Sequence, residues 1–119
     1  MDRKTLEERT RKFHIDVIKI CKELPKNPVG YETAKQLVRS AGSVGCNYSS
    51  TVRAKSRAEF INKVEIVLEE ADESLYWLKT VRDAELNTGP EVDRLIIEAN
   101  ELTAIFSATD KTAKRNRKS

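Results

Sequence analysis

The side chains in this sequence that could do chemistry are cations. Arg53, Lys55 and Arg57 lie in one five-residue stretch, Lys63 follows nearly two helical turns later, and Lys111, Lys114, Arg115, Arg117 and Lys118 crowd the last ten residues. Such clusters suit phosphate oxygens: neutralised phosphates release counterions, so five contacts to a single strand would give a salt slope of roughly −3 to −4. The plainer readings are a solvated turn for the first cluster and a solubility tail for the second. No aromatic residue lies within either cluster, which argues against base stacking and for contacts driven by charge and shape.

Catalytic constellations are missing from the pattern. A di-metal carboxylate site in a helical bundle uses Glu-x-x-His on two helices. The single histidine, His14, has Arg11 three residues before it, and reads as a polar edge residue of the first helix. Cys21 and Cys46 form no C-x-x-C pair and read as free thiols of a reducing compartment. Gly42-Ser43-Val44-Gly45 has the spacing of a nucleotide-clamping G-x-x-G loop, but that loop belongs to a fold with a sheet, and no segment here reads as a strand. The expectation is a non-enzymatic protein with no metal and no cofactor.

Four amphipathic helices would position these residues. Leu6, Phe13, Val17, Ile20 and Leu24 recur at helical spacing from about Thr5 to Leu24, and Pro25 and Pro28 end that run. A second helix follows from about Tyr31 to Ala54, with Ala34, Leu37, Ala41, Val44, Tyr48 and Val52 as its stripe. Gly42 and Gly45 each cost it about 1 kcal/mol of propensity, and either close approach of a neighbouring helix or a kink accounts for them. Ser56 with Glu59 has capping-box spacing, so a third helix starts at Arg57 and runs to about Leu86. Thr88-Gly89-Pro90 separates it from a fourth carrying Val92, Leu95, Ile96, Ala99, Leu102 and Phe106.

Folding the second helix back on the third about Lys55 sets Arg39 opposite roughly Asp72 or Glu73. This reads as a structural ion pair that fixes register; the alternative is that Arg39 faces phosphate. Were the pair largely buried, losing Arg39 would cost about 3 to 5 kcal/mol. Ile66 and Trp77 flank the main stripe of the third helix, as Ile18, Ile97 and Ile105 do elsewhere. Such widened faces either thicken the core or bury against another subunit, and the second reading makes these five residues an oligomer interface.

Composition agrees with a bundle. The 119 residues fit one domain, and the 34% charged content exceeds the average of roughly 25%. Of the formal +3 charge, residues 110–119 carry five cations and one carboxylate, which leaves the remainder near neutrality. The positive charge is therefore local. No apolar leader or membrane-length stretch is evident, so a soluble cytoplasmic protein is expected. The expected organisation is all-α: an antiparallel up-down-up-down four-helix bundle over residues 1–107 and a disordered basic tail over 108–119.

Gln36 to Ala41 (Gln-Leu-Val-Arg-Ser-Ala), Asn47-Tyr48, Arg53 to Ser56, Glu59-Phe60 and Glu70 to Ser74 (Glu-Ala-Asp-Glu-Ser) carry a family resemblance. From Gln36 to Leu78 the chain resembles the four-helix-bundle proteins encoded in intervening sequences of bacterial large-subunit ribosomal RNA genes. That family is similar to the accessory protein of diversity-generating retroelements, a pentameric barrel that binds nucleic acid and a reverse transcriptase. The resemblance implies a homopentamer and no general enzymatic activity. It also implies RNA or DNA, a reverse transcriptase or a ribosomal component as partners; the lack of a membrane-length apolar stretch adds the expectation of no membrane.

The functional expectation is an oligomeric scaffold or accessory protein that binds RNA or DNA through multivalent electrostatic contacts. Its contacts would be Arg53, Lys55, Arg57 and Lys63 together with Lys111, Lys114, Arg115, Arg117 and Lys118. In a ring, a weak patch on one subunit repeats into a positive rim. The alternative is an adaptor whose charged surface meets a partner protein.

Overall fold

A computed structural model describes the backbone of residues 1–118 and the side chains of residues 1–116. Four helices, α1 (Arg3–Cys21), α2 (Pro28–Ser50), α3 (Arg57–Asp83) and α4 (Pro90–Lys118), follow one another, with a short 3₁₀ turn at Thr51–Arg53. Each start has a local cause. The Asp2 side chain accepts from the Thr5 N–H, Asn27 from Gly30 and Ser56 from Glu59, so each satisfies an N–H that the first turn leaves unpaired. Glu59 returns a carboxylate to the Lys55 N–H at 3.0 Å, one residue before the cap. Pro28 and Pro90 open α2 and α4, where a missing N–H costs nothing.

The ends of the helices are equally specific. Sequence reasoning carried the third helix to Leu86 with Gly89 as its terminating glycine; the helix ends instead at Asp83. Leu86 N–H reaches back to the Val81 carbonyl at 2.9 Å and Glu85 N–H to Arg82 at 3.0 Å, with Glu85 at φ 59°. This is a Schellman motif with glutamate in the left-handed position usually held by glycine. The second helix also stops early. Past Ser50 the chain tightens into the 3₁₀ turn, which rotates Val52 out of the apolar stripe to 65% exposure.

Each helix packs on its neighbours in sequence, and α1 closes the ring against α4. The body measures 51 × 22 × 21 Å. Phe13, Val17, Leu37, Val44, Leu78, Leu95, Leu102 and Phe106 are among its fully buried side chains, each contributing about 1.5 to 3 kcal/mol of transfer free energy. Between α1 and α2, a Cβ on Gly42 would lie 2.9 Å from His14 Nε2, and one on Gly45 would lie 3.2 Å from Thr10 Oγ1. The two glycines therefore bring α1 close, as one of the two sequence readings held. A third close approach occurs at Gly30, where a Cβ would stand 1.9 Å from the Pro25 carbonyl oxygen.

The expectation of a disordered tail from residue 108 is corrected. Beyond Phe106 the fourth helix continues through Lys118, with Asp110 and Ala113 buried against the bundle. Alanine and a paired carboxylate suffice as its inward face because α3 begins alongside. Lys114 reaches Asp110 at 3.0 Å and Glu65 of α3 at 3.7 Å. The side chains of Arg117 and Lys118, and Ser119 altogether, lie outside the described residues.

Candidate nucleic-acid interface

Three arginines along the waist of the bundle, Arg9, Arg39 and Arg94, are tied to carboxylates of neighbouring helices. Arg9 of α1 makes a two-pronged contact with Glu98 of α4, 2.7 Å on each prong, and a third bond to Glu101 at 2.9 Å. Arg9 and Glu98 are both only 21% exposed, and the acidic partners raise the guanidinium above its usual range. Asp16, 8% exposed, accepts from Lys12 at 2.7 Å and Arg94 at 2.8 Å. Burial alone would raise this carboxyl, but the two cations hold it below its ordinary value.

Between α2 and α3, Arg39 bonds Glu73 and, at 3.2 Å, Glu70. Arg39 and Glu73, which the sequence reading set opposite one another, are in contact. Glu70, one turn before Glu73, replaces Asp72, which points to solvent. The Arg39 side chain remains 47% exposed, so the pair is a surface clasp. Beneath it, the wholly buried Ser40 and Ser74 hydroxyls meet at 3.0 Å. Sequence reasoning assigned that pair no role. Its signal was two small hydroxyls flanking the charged positions of facing helices.

The basic clusters converge elsewhere. Arg53 closes the 3₁₀ turn, Lys55 lies in the connection and Arg57 is the first residue of α3. All three are exposed, and among the described residues none forms an ion pair. Because α3 and α4 run antiparallel, the last turns of α4 return to the same end and bring exposed Lys111 and Arg115 with them. Lys114 is drawn off by Asp110 and Glu65, which raise its pKa. Half-buried Lys63 lies on the flank of α3 without an ion pair. Two clusters distant in sequence therefore form one cationic pole.

A cavity of about 700 Å³ opens at this pole. Its apolar wall comprises Leu6, Tyr48, Phe60, Ile105, Ala108 and Ala113. Arg3, Arg57, Thr112 and Asn116 supply its polar groups. Arg3 is committed to structure: its guanidinium caps the end of α2 through the Tyr48 and Ser49 carbonyls and Thr51 Oγ1, pairs with Glu7 and covers the Tyr48 ring at 4.9 Å. Arg57 is not so committed. The cavity also seats Phe60 and Tyr48 beside the basic turn, although neither lies within the cluster in sequence.

Of the five apolar residues expected at an interface, Ile66 and Ile97 are 43% and 60% exposed. Trp77 and Ile105 are half-buried against the core of the bundle, and Ile18 is also half-buried. Among the described residues, no group of three or more His, Cys, Asp or Glu is arranged to hold a metal. Burial pushes the Cys21 thiol up to about 11. No described helix is long and apolar enough to cross a membrane.

Comparison with known proteins places this architecture. No curated protein matches the chain. A crystal structure at 1.70 Å, of a protein of unknown function from the S23 ribosomal protein family of Bacteroides thetaiotaomicron VPI-5482, superposes with a TM-score of 0.83 at 28% identity. The match covers 93% of this chain and 99% of that one. The sequence model of the 23S rRNA-intervening sequence proteins matches residues 5–108, from the first turns of α1 to the cavity wall on α4, and the chain belongs to that family.

Proposed function

We propose that the protein is a non-enzymatic nucleic-acid-binding scaffold that contacts RNA or DNA through its cationic pole. The observation that supports this reading is the contrast in pairing. Arg9, Arg39 and Arg94 at the waist end on carboxylates of neighbouring helices, while Arg53, Lys55, Arg57, Lys111 and Arg115 are exposed at one end with no ion pair among the described residues. Unpaired like charges gathered at one end repel one another and favour an anionic partner. Self-assembly, expected as a pentamer, would repeat the pole around a ring, and exposed Ile66 and Ile97 are among the apolar side chains available for it, with Val29, Tyr31, Val52 and Tyr76.

Salt titration of RNA binding tests the reading. Five phosphate contacts per subunit predict a slope of log affinity on log salt of about −3 to −4 on single-stranded RNA. Absence of RNA retention at low salt would refute it and favour the adaptor reading, in which the exposed apolar residues meet a partner protein such as a reverse transcriptase. Mass determination in solution, with Ile66→Lys and Ile97→Lys as disrupting variants, tests assembly separately.

A further inference from the structure

We infer that the cavity at the cationic pole receives one unstacked base of a single-stranded segment, whose adjoining phosphate is held by Arg57. The inference rests on the nucleic-acid reading and adds strandedness to it. A base attached to its phosphate combines a flat apolar body with a fixed anion. The cavity combines an apolar wall with one uncommitted guanidinium at its mouth. Its volume of about 700 Å³ lies within the roughly 300 to 1,000 Å³ of small-molecule sites.

The wall is selective in which ring it offers. Tyr48 is covered by Arg3 on one side and leans on Phe106, their centroids 5.4 Å apart, so it is a fixed boundary. Phe60, half-buried one turn after Arg57, is the ring with surface left to stack. Arg53, Lys55, Lys111 and Arg115, exposed at the same end of the bundle, supply the positive field that would carry the flanking backbone.

Charge alone would favour a duplex, whose phosphates are denser than those of a single strand. Preference for single strands is therefore the readout that separates insertion from surface attraction. At equal salt, the intact protein should bind a single-stranded oligonucleotide about 5- to 100-fold more tightly than the matching duplex, the range expected for one stacked base. A fluorescent adenine analogue in that strand should be quenched on binding.

Ala108→Trp fills the cavity from an exposed position, and Phe60→Leu removes the ring while keeping an apolar side chain. Each should bring the single-strand preference to within about twofold of parity and abolish quenching, with duplex affinity unchanged. Equal affinity of the intact protein for both forms, or a preference surviving Ala108→Trp, would overturn the inference while leaving salt-dependent binding in place. No binding to either form at low salt would overturn the nucleic-acid reading and this inference with it.

Discussion

At the waist of the bundle, arginines that cross between helices end on carboxylates; at one end, five exposed cations form no ion pair among the described residues. Both regions are built from the same residue types. The difference is geometric. Facing positions on antiparallel helices bring Arg9 to Glu98, Arg39 to Glu73 and Arg94 to Asp16, and there charge fixes alignment. Past the end of α2 and in the last turns of α4, Arg53, Lys55, Arg57, Lys111 and Arg115 have no carboxylate partner among the described residues, and the charge stays available to a partner. Charge density alone therefore says little about binding, whereas charge left unpaired by the fold says more.

That comparison can be broken by exchanging the two roles. Arg9→Ala removes a half-buried guanidinium with three bonds to carboxylate oxygens, and should cost about 2 to 3 kcal/mol in urea unfolding. RNA affinity should not change. Removing Arg53, Lys55 and Arg57 together as glutamines should do the reverse, lowering RNA affinity about tenfold or more at moderate salt with the melting temperature unmoved. A waist variant that abolished binding, or a pole variant that unfolded the protein, would erase the distinction.

Smaller effects sharpen it. Ser74→Ala deletes half of the buried hydroxyl pair under the Arg39 clasp and should cost about 1 kcal/mol. Arg39→Ala, despite two carboxylate partners, should cost at most about 1 kcal/mol, because its side chain is 47% exposed and the pair is screened by solvent. Thermal melting of the two variants orders them.

Acid provides a graded test of the same waist. The Asp16 carboxyl is held below its unfolded value by Lys12 and Arg94, so its contribution is complete above the unfolded carboxylate pKa of about 3.9 and is lost as pH falls through the lower folded value. Stability measured across that window should decline, and Asp16→Asn should flatten the decline.

Much of this organisation was legible from residue spacing. The apolar stripes of the four helices, the Ser56–Glu59 cap and the opposition of Arg39 to Glu73 follow from local periodicity and one turn. The rest depended on contacts that spacing does not encode. The third helix ends before Leu86 because Glu85 takes the left-handed position of a Schellman motif, which glutamate fills at modest cost. The last turns of α4 lack a large hydrophobic residue and read as a tail, yet Ala113 and the Asp110–Lys114 pair dock them beside the start of α3. The cavity was hidden for the same reason, since its wall draws on all four helices. Only once α4 extends past Phe106 do Phe60 and Arg57 acquire a facing surface.

The central claim is that the pole, and not the waist, meets nucleic acid. Its most direct test is the salt dependence of RNA affinity in the intact protein and in the Arg53→Gln, Lys55→Gln, Arg57→Gln variant. The account predicts a slope of about −3 to −4 for the former and about −1 to −2 for the latter, which keeps only Lys111 and Arg115 of the exposed set. Equal slopes for the two proteins would contradict it.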